Sequence, residues 1–195
     1  RHVYWKYCST FDSTPRGNIG PVTQALLARL RARQTLYVPS FPENGRRVFM
    51  GNMFVGDQPL AESPMKDHPL NPMTDSDLTR VLAAQLGADA DNVGLIDWPT
   101  IRRGPEAIAE AMGRCPTHMI CDAIEDADLA ALARVAHHLP LLTGGSNPGL
   151  IQPGYLIEVN DIGHTWRGLV RGIRVTAGLP TVRQTITVER EAVTP

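Results

Sequence analysis

The feature that most constrains the fold is the alternation of apolar, strand-like runs with helix-like stretches along residues 1–150. Parallel strands need a long crossover connection, which a helix supplies, so this alternation favours parallel pairing. We therefore predict an α/β domain with a mainly parallel sheet and flanking helices. The predicted strands are residues 3–8, 35–38, 93–96, 118–121 and 139–143.

Between these strands, apolar residues recur at helical spacing in four segments. The first predicted helix has Pro21 near its first turn, where the missing N–H of proline costs nothing. The second is predicted to start at Thr74, with Asp77 three residues on as an approximate capping box. The other two are residues 105–112 and 126–138.

The pattern changes at about residue 150. Residues 155–159, 165–176 and 181–191 are all β-like, and no helical pattern separates them. Apolar and polar residues alternate along the last run, which is typical of a half-exposed antiparallel strand. We therefore predict two domains, residues 1–150 and a small antiparallel β appendage at residues 151–195.

Charge, hydropathy and cysteine content exclude several classes of function. With 19 basic and 20 acidic residues, the chain offers no electrostatic footprint for nucleic acid or an anionic membrane. No apolar run approaches the roughly 18 residues that span a bilayer. The three cysteines form no CxxC pair, which is typical of reduced thiols in a cytoplasmic protein. Neither a Cys/His cluster nor an HExxH motif is present, so no metal site is predicted.

The first candidate site is the loop of residues 8–20, which follows the first strand and opens a helix. Ligands of α/β sheets bind at the carboxyl ends of strands, and a helix N-terminus suits an anion. Lys6 and Arg16 can bind a carboxylate, and Gly17 lets the backbone approach a ligand closely. Asp12 can accept hydrogen bonds from sugar hydroxyls or act as a base. The alternative is an ordinary turn in which Asp12 bonds the local backbone.

The second candidate is the turn Gly144-Gly145-Ser146, after the last strand of the first domain. Because the carboxyl ends of parallel strands share one edge of the sheet, this turn is predicted to lie on the same edge as the first candidate. Successive glycine N–H groups can form a nest for phosphate oxygens. The alternative is a flexible turn, since Gly-Gly is a generic turn dipeptide.

Two polar loops form a third candidate: a turn that carries Asn44 and Arg46, and residues 68–75. Both carry side chains that can reach a polyhydroxy acid, and long loops inside a domain are often functional. The residues between them are predicted to form one extended segment, 47–55, and a proline-rich loop, 58–72.

At these same residues the sequence resembles the four-carbon acid sugar kinases, and among them the 3-oxo-tetronate kinases. The matching segments follow the family's order and cover most of residues 3–146. They are YWKYCSTFDSTPRGNIGPV, VPSFPENGRRVFMGNMFVGDQPLAESPM, HPLNPMTDSDLTRVL, CDAIEDADL and LLTGGS. The resemblance implies a cytoplasmic enzyme that transfers the γ-phosphate of ATP, with Mg2+, to a hydroxyl of a four-carbon sugar acid.

The resemblance also assigns roles to the candidate residues. Asp12 is then the catalytic residue. The sugar-acid side consists of Lys6, Ser13, Arg16, Gly17, Asn18, Asn44 and Arg46. The nucleotide side consists of Gly144, Gly145 and Ser146.

The chain departs from the family in two places. The Asp-Asp-rich strand end with which the family begins is absent, and after Ser146 the β-like tail replaces the nucleotide domain. Residues 151–195 resemble instead the end of phage tail-associated proteins. The sequence thus implies a sugar-acid-binding domain that is incomplete at both ends and turns over little ATP by itself. Two alternatives stay open: a non-enzymatic module that assembles through its β tail, as a homo-oligomer or a phage tail-like structure, and a plain nucleotide-free α/β binding domain.

Overall fold

A computed structural model describes residues 3–12, 14–69, 71–145, 156–161, 164–178 and 181–190, the last three ranges by their backbone alone. The chain divides into two compact units, Arg1–Asn147 and Pro148–Pro195. The helices and strands of the described part of the first unit follow one another in chain order. They are β1 (Val3–Lys6), α1 (Ile19–Leu30), β2 (Thr35–Val38), β3 (Arg46–Phe49), β4 (Asn52–Val55), β5 (Gln58–Pro59), α2 (Leu78–Leu86), β6 (Val93–Ile96), α3 (Trp98–Arg102), α4 (Pro105–Arg114), β7 (His118–Cys121), α5 (Asp126–Ala136) and β8 (Leu141–Gly144).

The central sheet of this unit has the strand order β1-β8-β2-β7-β6, and every neighbouring pair in it is parallel. This confirms the predicted parallel sheet. The last strand lies beside the first, and Lys6 pairs with Gly144. The loop after β1 and the turn after β8 therefore leave the sheet at the same carboxyl edge, as predicted.

Helices cover both faces of the sheet. Because side chains alternate along a strand, Leu36 and Met119 enter one core while their neighbours Tyr37 and Ile120 enter the other. The Tyr37 core takes in residues of α1 and α2, and the Leu36 core takes in residues of α3, α4 and α5. Burial on both faces explains why these strands read as apolar runs rather than as alternating ones.

The start of α2 differs from the prediction. The helix begins at Leu78, and Asp77 is its N-cap, whose carboxylate accepts from the N–H groups of Thr79 and Arg80. An N-cap carboxylate satisfies helix N–H groups that have no partner within the helix, and this fixes the helix start after Asp77. The predicted start at Thr74 was therefore wrong by one turn.

The segment predicted as one extended run, residues 47–55, is a hairpin. Strands β3 and β4 are antiparallel, and Met50 and Gly51 between them adopt positive φ angles of 49° and 77°. This conformation is the one that two-residue hairpin turns require. Residues 58–72 are also more ordered than a loop, because they contribute β5 and two 3₁₀ turns, Leu60–Glu62 and Pro64–Asp67.

The second unit contains three described strands, β9 (Leu156–Asp161), β10 (His164–Gly178) and β11 (Thr181–Arg190). They form an antiparallel sheet of order β11-β10-β9, with an irregularity between Val170 and Gly172. The predicted antiparallel β appendage is confirmed.

A polar network lies inside the Tyr37 side of the first unit. The Tyr37 hydroxyl is 2.8 Å from His118 Nδ1, and the Thr143 hydroxyl is 3.1 Å from the Tyr7 hydroxyl. Burial lowers the pKa of His118, and Asp89 offsets this only in part. The folded protein therefore holds this imidazole neutral near pH 7.

Folding stability is expected to fall on acidification because of His118. A histidine whose pKa is lowered by folding contributes stability that is complete above the unfolded value of about 6.5 and is lost as pH falls below it. Urea unfolding of wild type and His118→Gln at about pH 7 and about pH 5.5 measures this. The wild type should lose more stability than the variant over this interval, by up to about 1.4 kcal/mol per pH unit. Equal losses would show that folding leaves the pKa of His118 unshifted.

Candidate functional site

The loop that follows β1 is anchored at the carboxyl edge of the sheet by a buried ring. Phe11 is fully buried and packs edge-on against Tyr7 and Tyr37, with ring centroids 5.4 and 6.2 Å apart. Phe11 and Asp12 both have positive φ angles, 63° and 38°. Left-handed backbone is costly for residues other than glycine, so two in succession persist only where the surrounding structure holds them.

Asp12 presents the clearest functional signal in this loop. Its side chain is half-buried, and Oδ1 is shielded from solvent without a hydrogen-bond partner among the described residues. A carboxylate oxygen out of water is unfavourable until a donor reaches it. Its backbone carbonyl, in contrast, accepts from the Thr14 N–H at 2.7 Å and from Gln85 Nε2 at 3.0 Å. Two hydrogen bonds thus hold the backbone of Asp12, while one carboxylate oxygen has no partner among the described residues.

Gln85 on α2 is a residue of this site that the sequence analysis missed. It is 8% exposed, and its carboxamide donates to the carbonyls of Asp12 and Thr14, at 3.0 and 3.1 Å. Its Oε1 accepts from the Gly20 N–H at 3.0 Å. A signal for it was present in the sequence, because Gln85 lies four residues after Val81 on the apolar stripe of the helix. A polar side chain at such a position needs a buried partner.

The N-terminus of α1 offers less to an anion than the sequence suggested. The Gly20 N–H already donates to Gln85 Oε1, and Pro21 has no N–H. The Val22 N–H donates to the Asn18 carbonyl at 3.0 Å. The side chain of Asn18 is exposed and makes no capping hydrogen bond. A carboxylate bound at this loop would therefore depend on side chains more than on helix N–H groups.

Two cationic side chains flank the loop. Lys6 and Arg16 are exposed. Lys6 Nζ donates to the carbonyl of Tyr7 at 2.9 Å, so it folds back towards the start of the loop. Arg16 forms none of the ion pairs found within the described ranges. Both charges are thus available to an anionic ligand.

Gly17 is needed for close packing inside the loop. A Cβ at this position would lie 2.3 Å from Gln85 Nε2 and 2.7 Å from the carbonyl oxygen of Asp12. Any side chain here would displace the carboxamide that holds the loop. Ser13, the remaining predicted residue of this loop, lies outside the described residues.

The turn after β8 packs tightly against the loop. A Cβ on Gly145 would lie 2.6 Å from the Pro39 carbonyl oxygen and 2.9 Å from Ser9 Cα, and one on Gly144 would lie 2.1 Å from the Tyr4 hydroxyl. The Gly145 N–H donates to the Val38 carbonyl at 3.1 Å, so this donor is already used within the sheet. Ser146 lies outside the described residues. Close packing therefore explains both glycines of the described part of the turn, against backbone at Gly145 and against the Tyr4 side chain at Gly144.

Asn44 lies in the connection that leaves the carboxyl end of β2, and Arg46 is the first residue of β3. Phe41 and Arg46 pair as an isolated bridge around a short 3₁₀ turn, and Arg46 Nη1 donates to the Asn44 carbonyl at 2.8 Å. Arg46 Nε is shielded from solvent and has no hydrogen-bond partner in the part of the chain that is described. Arg46 therefore keeps an unsatisfied donor close to the edge that carries Asp12.

Asp122 ties the turn between β3 and β4 to the end of β7, and the sequence analysis did not single it out. It is fully buried directly after β7, and its carboxylate accepts from the N–H groups of Met50, Gly51 and Trp98, at 2.6, 2.9 and 2.8 Å. Burial raises the pKa of Asp122, although the three donors oppose this. An acidic residue at the end of an apolar run was the signal in the sequence.

Metal ligands and membrane helices are not found in the described ranges. No group of three or more His, Cys, Asp or Glu residues there is arranged to hold a metal ion. None of the helices in those ranges is long and apolar enough to cross a membrane. The three cysteines are free thiols, of which Cys8 is exposed and Cys121 buried.

A parallel sheet whose carboxyl edge carries a rigid loop, an unsatisfied carboxylate and exposed cations is the framework of a small-molecule-binding α/β domain. Residues 1–150 match the family described as a sugar-binding N-terminal domain, and the chain belongs to that family. This confirms the family resemblance drawn from the sequence motifs. The match ends at residue 150, so the likeness of residues 151–195 to phage tail-associated proteins stays a prediction.

Relatives of the chain include curated kinases. A 3-oxo-tetronate kinase of Pseudomonas savastanoi pv. phaseolicola is 50% identical over 156 residues, which are 78% of this chain and 36% of the relative. One of Cupriavidus necator is 48% identical over 157 residues, with the same two shares. A solved structure of a Haemophilus influenzae protein is 40% identical with a TM-score of 0.69, over 74% of this chain and 35% of that one. The chain thus spans about a third of the length of the curated relatives it matches.

Proposed function

We propose that residues 1–150 bind the sugar acid for a kinase that phosphorylates a hydroxyl of a four-carbon sugar acid, 3-oxo-tetronate. The observation that carries this is the unsatisfied, shielded Oδ1 of Asp12 in a loop whose backbone is fixed. A fixed carboxylate at the carboxyl edge of the sheet is placed to accept a proton from a sugar hydroxyl. The kinase relatives named above supply the reaction class.

The other candidate residues are assigned to the carboxylate or to the hydroxyls of the sugar acid by their charge and position. Lys6 and Arg16 attract the carboxylate of the sugar acid, since both are exposed cations beside the loop. The hydroxyls are recognised by Ser13, Asn18, Asn44 and Arg46. Gly17 keeps its packing role, because a side chain there would meet Gln85.

ATP is the proposed phosphoryl donor, with Mg2+ carried on its phosphates, since such transfers rest on positioning and charge neutralisation. The turn Gly144-Gly145-Ser146 is the part of this chain proposed to face the nucleotide. Its Gly145 N–H already bonds the Val38 carbonyl, so the turn has one donor fewer for phosphate than the sequence suggested. We therefore expect the chain to bind a sugar acid and to turn over little or no ATP by itself.

Loss of charge at Asp12 or Arg16 should abolish most sugar-acid binding and leave the fold intact. Asp12→Asn keeps a residue that tolerates a positive φ, and Arg16→Ala changes an exposed side chain. We expect each to weaken binding of a four-carbon sugar acid by at least about tenfold, since hydrogen bonds to charged groups are worth about 1.5–3 kcal/mol. Isothermal titration calorimetry measures the affinity, and thermal unfolding checks the fold.

Arg33→Ala is the matched control for these variants. Arg33 is also exposed, but it precedes β2 and so lies at the amino edge of the sheet, away from the loop. The control should bind like wild type. Unchanged affinity in both Asp12→Asn and Arg16→Ala would contradict the assignment of this loop.

A second candidate function is assembly through residues 151–195. The 15-residue β10 pairs with β9 on one side and β11 on the other, and among the described strands β9 and β11 have no further partner. Unprotected strand edges are templates for pairing with another chain. Light scattering after size-exclusion chromatography tests this, and a monomer at all concentrations would exclude self-assembly.

A further inference from the structure

We propose that Gln85 is a positioning residue of the sugar-acid site, which holds Asp12 and the start of α1 in the conformation that binds the ligand. This inference rests on the proposed function, because it concerns the same loop. It goes further in assigning the conformation of that loop to one carboxamide on another helix. Among the side-chain hydrogen bonds of the described residues, those of Gln85 alone join the middle of the loop, at Asp12 and Thr14, to the start of α1 at Gly20.

The carboxamide of Gln85 donates through its nitrogen and accepts through its oxygen. Its NH2 group donates to two carbonyls, those of Asp12 and Thr14, at 3.0 and 3.1 Å. Its oxygen accepts from the Gly20 N–H at 3.0 Å. A carboxamide is the side-chain group that can donate twice and accept at once, so Gln85 fits this set of partners and a carboxylate or an apolar group does not.

The loop needs such a support. Phe11 and Asp12 both adopt left-handed backbone, and Gly17 leaves the space that the carboxamide occupies. With Gln85 in place, the carbonyl of Asp12 cannot rotate without breaking two hydrogen bonds, one of them to Thr14. Gln85 therefore keeps Asp12 at the edge of the sheet in the ligand-free protein, where no bound ligand offsets the energy of the left-handed backbone.

A purely structural role predicts something different. If Gln85 only satisfied buried polar groups, its loss would lower stability but would leave the affinity of the folded protein unchanged. If Gln85 positions the loop, affinity should follow the donor capacity of residue 85. Gln85→Glu separates the two, because its ionised form keeps the acceptor for Gly20 and places an oxygen against two carbonyls. Its protonated form regains one donor.

The experiment measures binding of threonate, a stable four-carbon sugar acid, to the full chain by calorimetry at about pH 7.5 and about pH 5.5, on either side of the expected raised pKa of a buried glutamate. Gln85→Met, which has similar length and no such donor, should bind at least about tenfold more weakly than wild type at both pH values. Gln85→Glu should bind weakly at the higher pH and recover at the lower. Ala84→Glu adds the same charge at an exposed position of α2 and is the matched control, expected to bind like wild type.

Hydrogen exchange of the ligand-free protein gives the second readout. The Gly20 amide should exchange at least about tenfold faster in Gln85→Met than in wild type, while amides of β7 stay protected. Affinity equal to wild type in Gln85→Met and Gln85→Glu, or unchanged exchange at Gly20, would overturn the proposal. If the wild type binds no sugar acid, the proposed function fails, and exchange at Gly20 still decides whether Gln85 holds the loop. Should Gln85→Met not fold, recovery of Gln85→Glu at low pH decides between the two roles.

Discussion

Replacing Gly145 with alanine is expected to lower the free energy of unfolding by about 3 kcal/mol or more, at the upper end for overpacking. The added Cβ would meet the Pro39 carbonyl oxygen at 2.6 Å and Ser9 Cα at 2.9 Å, and both are backbone atoms. Backbone atoms cannot turn aside as a side-chain tip can, so the turn after β8 and the loop after β1 would have to separate. Urea unfolding of the variant measures the loss.

Alanine substitutions at two other glycines provide comparisons for this expected loss of stability. At Gly144 the contact at 2.1 Å is with the hydroxyl tip of Tyr4, which can rotate, so Gly144→Ala should cost less than Gly145→Ala. At Gly113, in α4, nothing lies within 4 Å of the added Cβ. Gly113→Ala should therefore stabilise the protein by about 0.5–1 kcal/mol through helix propensity. A loss at Gly145 no larger than that at Gly144 would show that the turn is free to move.

Asp122→Ala is expected to cost about 3 kcal/mol, because three backbone N–H groups would lose one charged acceptor. The Gly51 N–H is buried, and those of Met50 and Trp98 are partly buried, so water cannot fully replace the carboxylate. The hairpin turn would also lose its two hydrogen bonds to the residue that follows β7. We therefore expect local loosening of β3 and β4 in addition to lower global stability, seen by hydrogen exchange and urea unfolding.

Asp97→Ala provides the comparison for Asp122. Asp97 caps α3 with a single hydrogen bond, to the Thr100 N–H at 3.0 Å, and is partly exposed. Its removal should cost about 1 kcal/mol, the usual loss for an N-cap. Equal costs at the two positions would mean that the N–H groups around Asp122 find other acceptors.

The parallel sheet was predictable because its strands are buried on both faces. The bounds predicted for β2, β6 and β7 agree with the structure, since each is a short apolar run bounded by loop residues. The five-residue α3 was missed, because a helix of little more than one turn shows no periodicity. The hairpin at residues 47–55 was missed because Met50 takes a positive φ that sequence patterns assign to glycine or asparagine.

The candidate site was predictable only in part. The sequence placed the loop with Asp12 at the carboxyl edge of the sheet, where ligands of α/β domains bind, and the role of Asp12 there stays a prediction. Gln85 and Asp122 were not found, because their importance lies in contacts with residues far along the chain, such as Gly20 and Gly51. A helical pattern shows that position 85 faces inward, but it does not show which backbone groups are its hydrogen-bond partners. Such contacts are set by tertiary packing, which no local pattern encodes.

The pairing of β1 with β8 has a consequence for how the protein is made. Most of the first unit separates Val3 from its partner Leu141 along the chain, so Leu141 leaves the ribosome on the order of ten seconds after Val3. Until then the loop with Asp12 has no Gly145 turn to pack against. The carboxyl edge of the sheet is therefore completed last, and β1 stays without its partner strand until then. The proposed sugar-acid site can thus form only after the whole sheet has been translated.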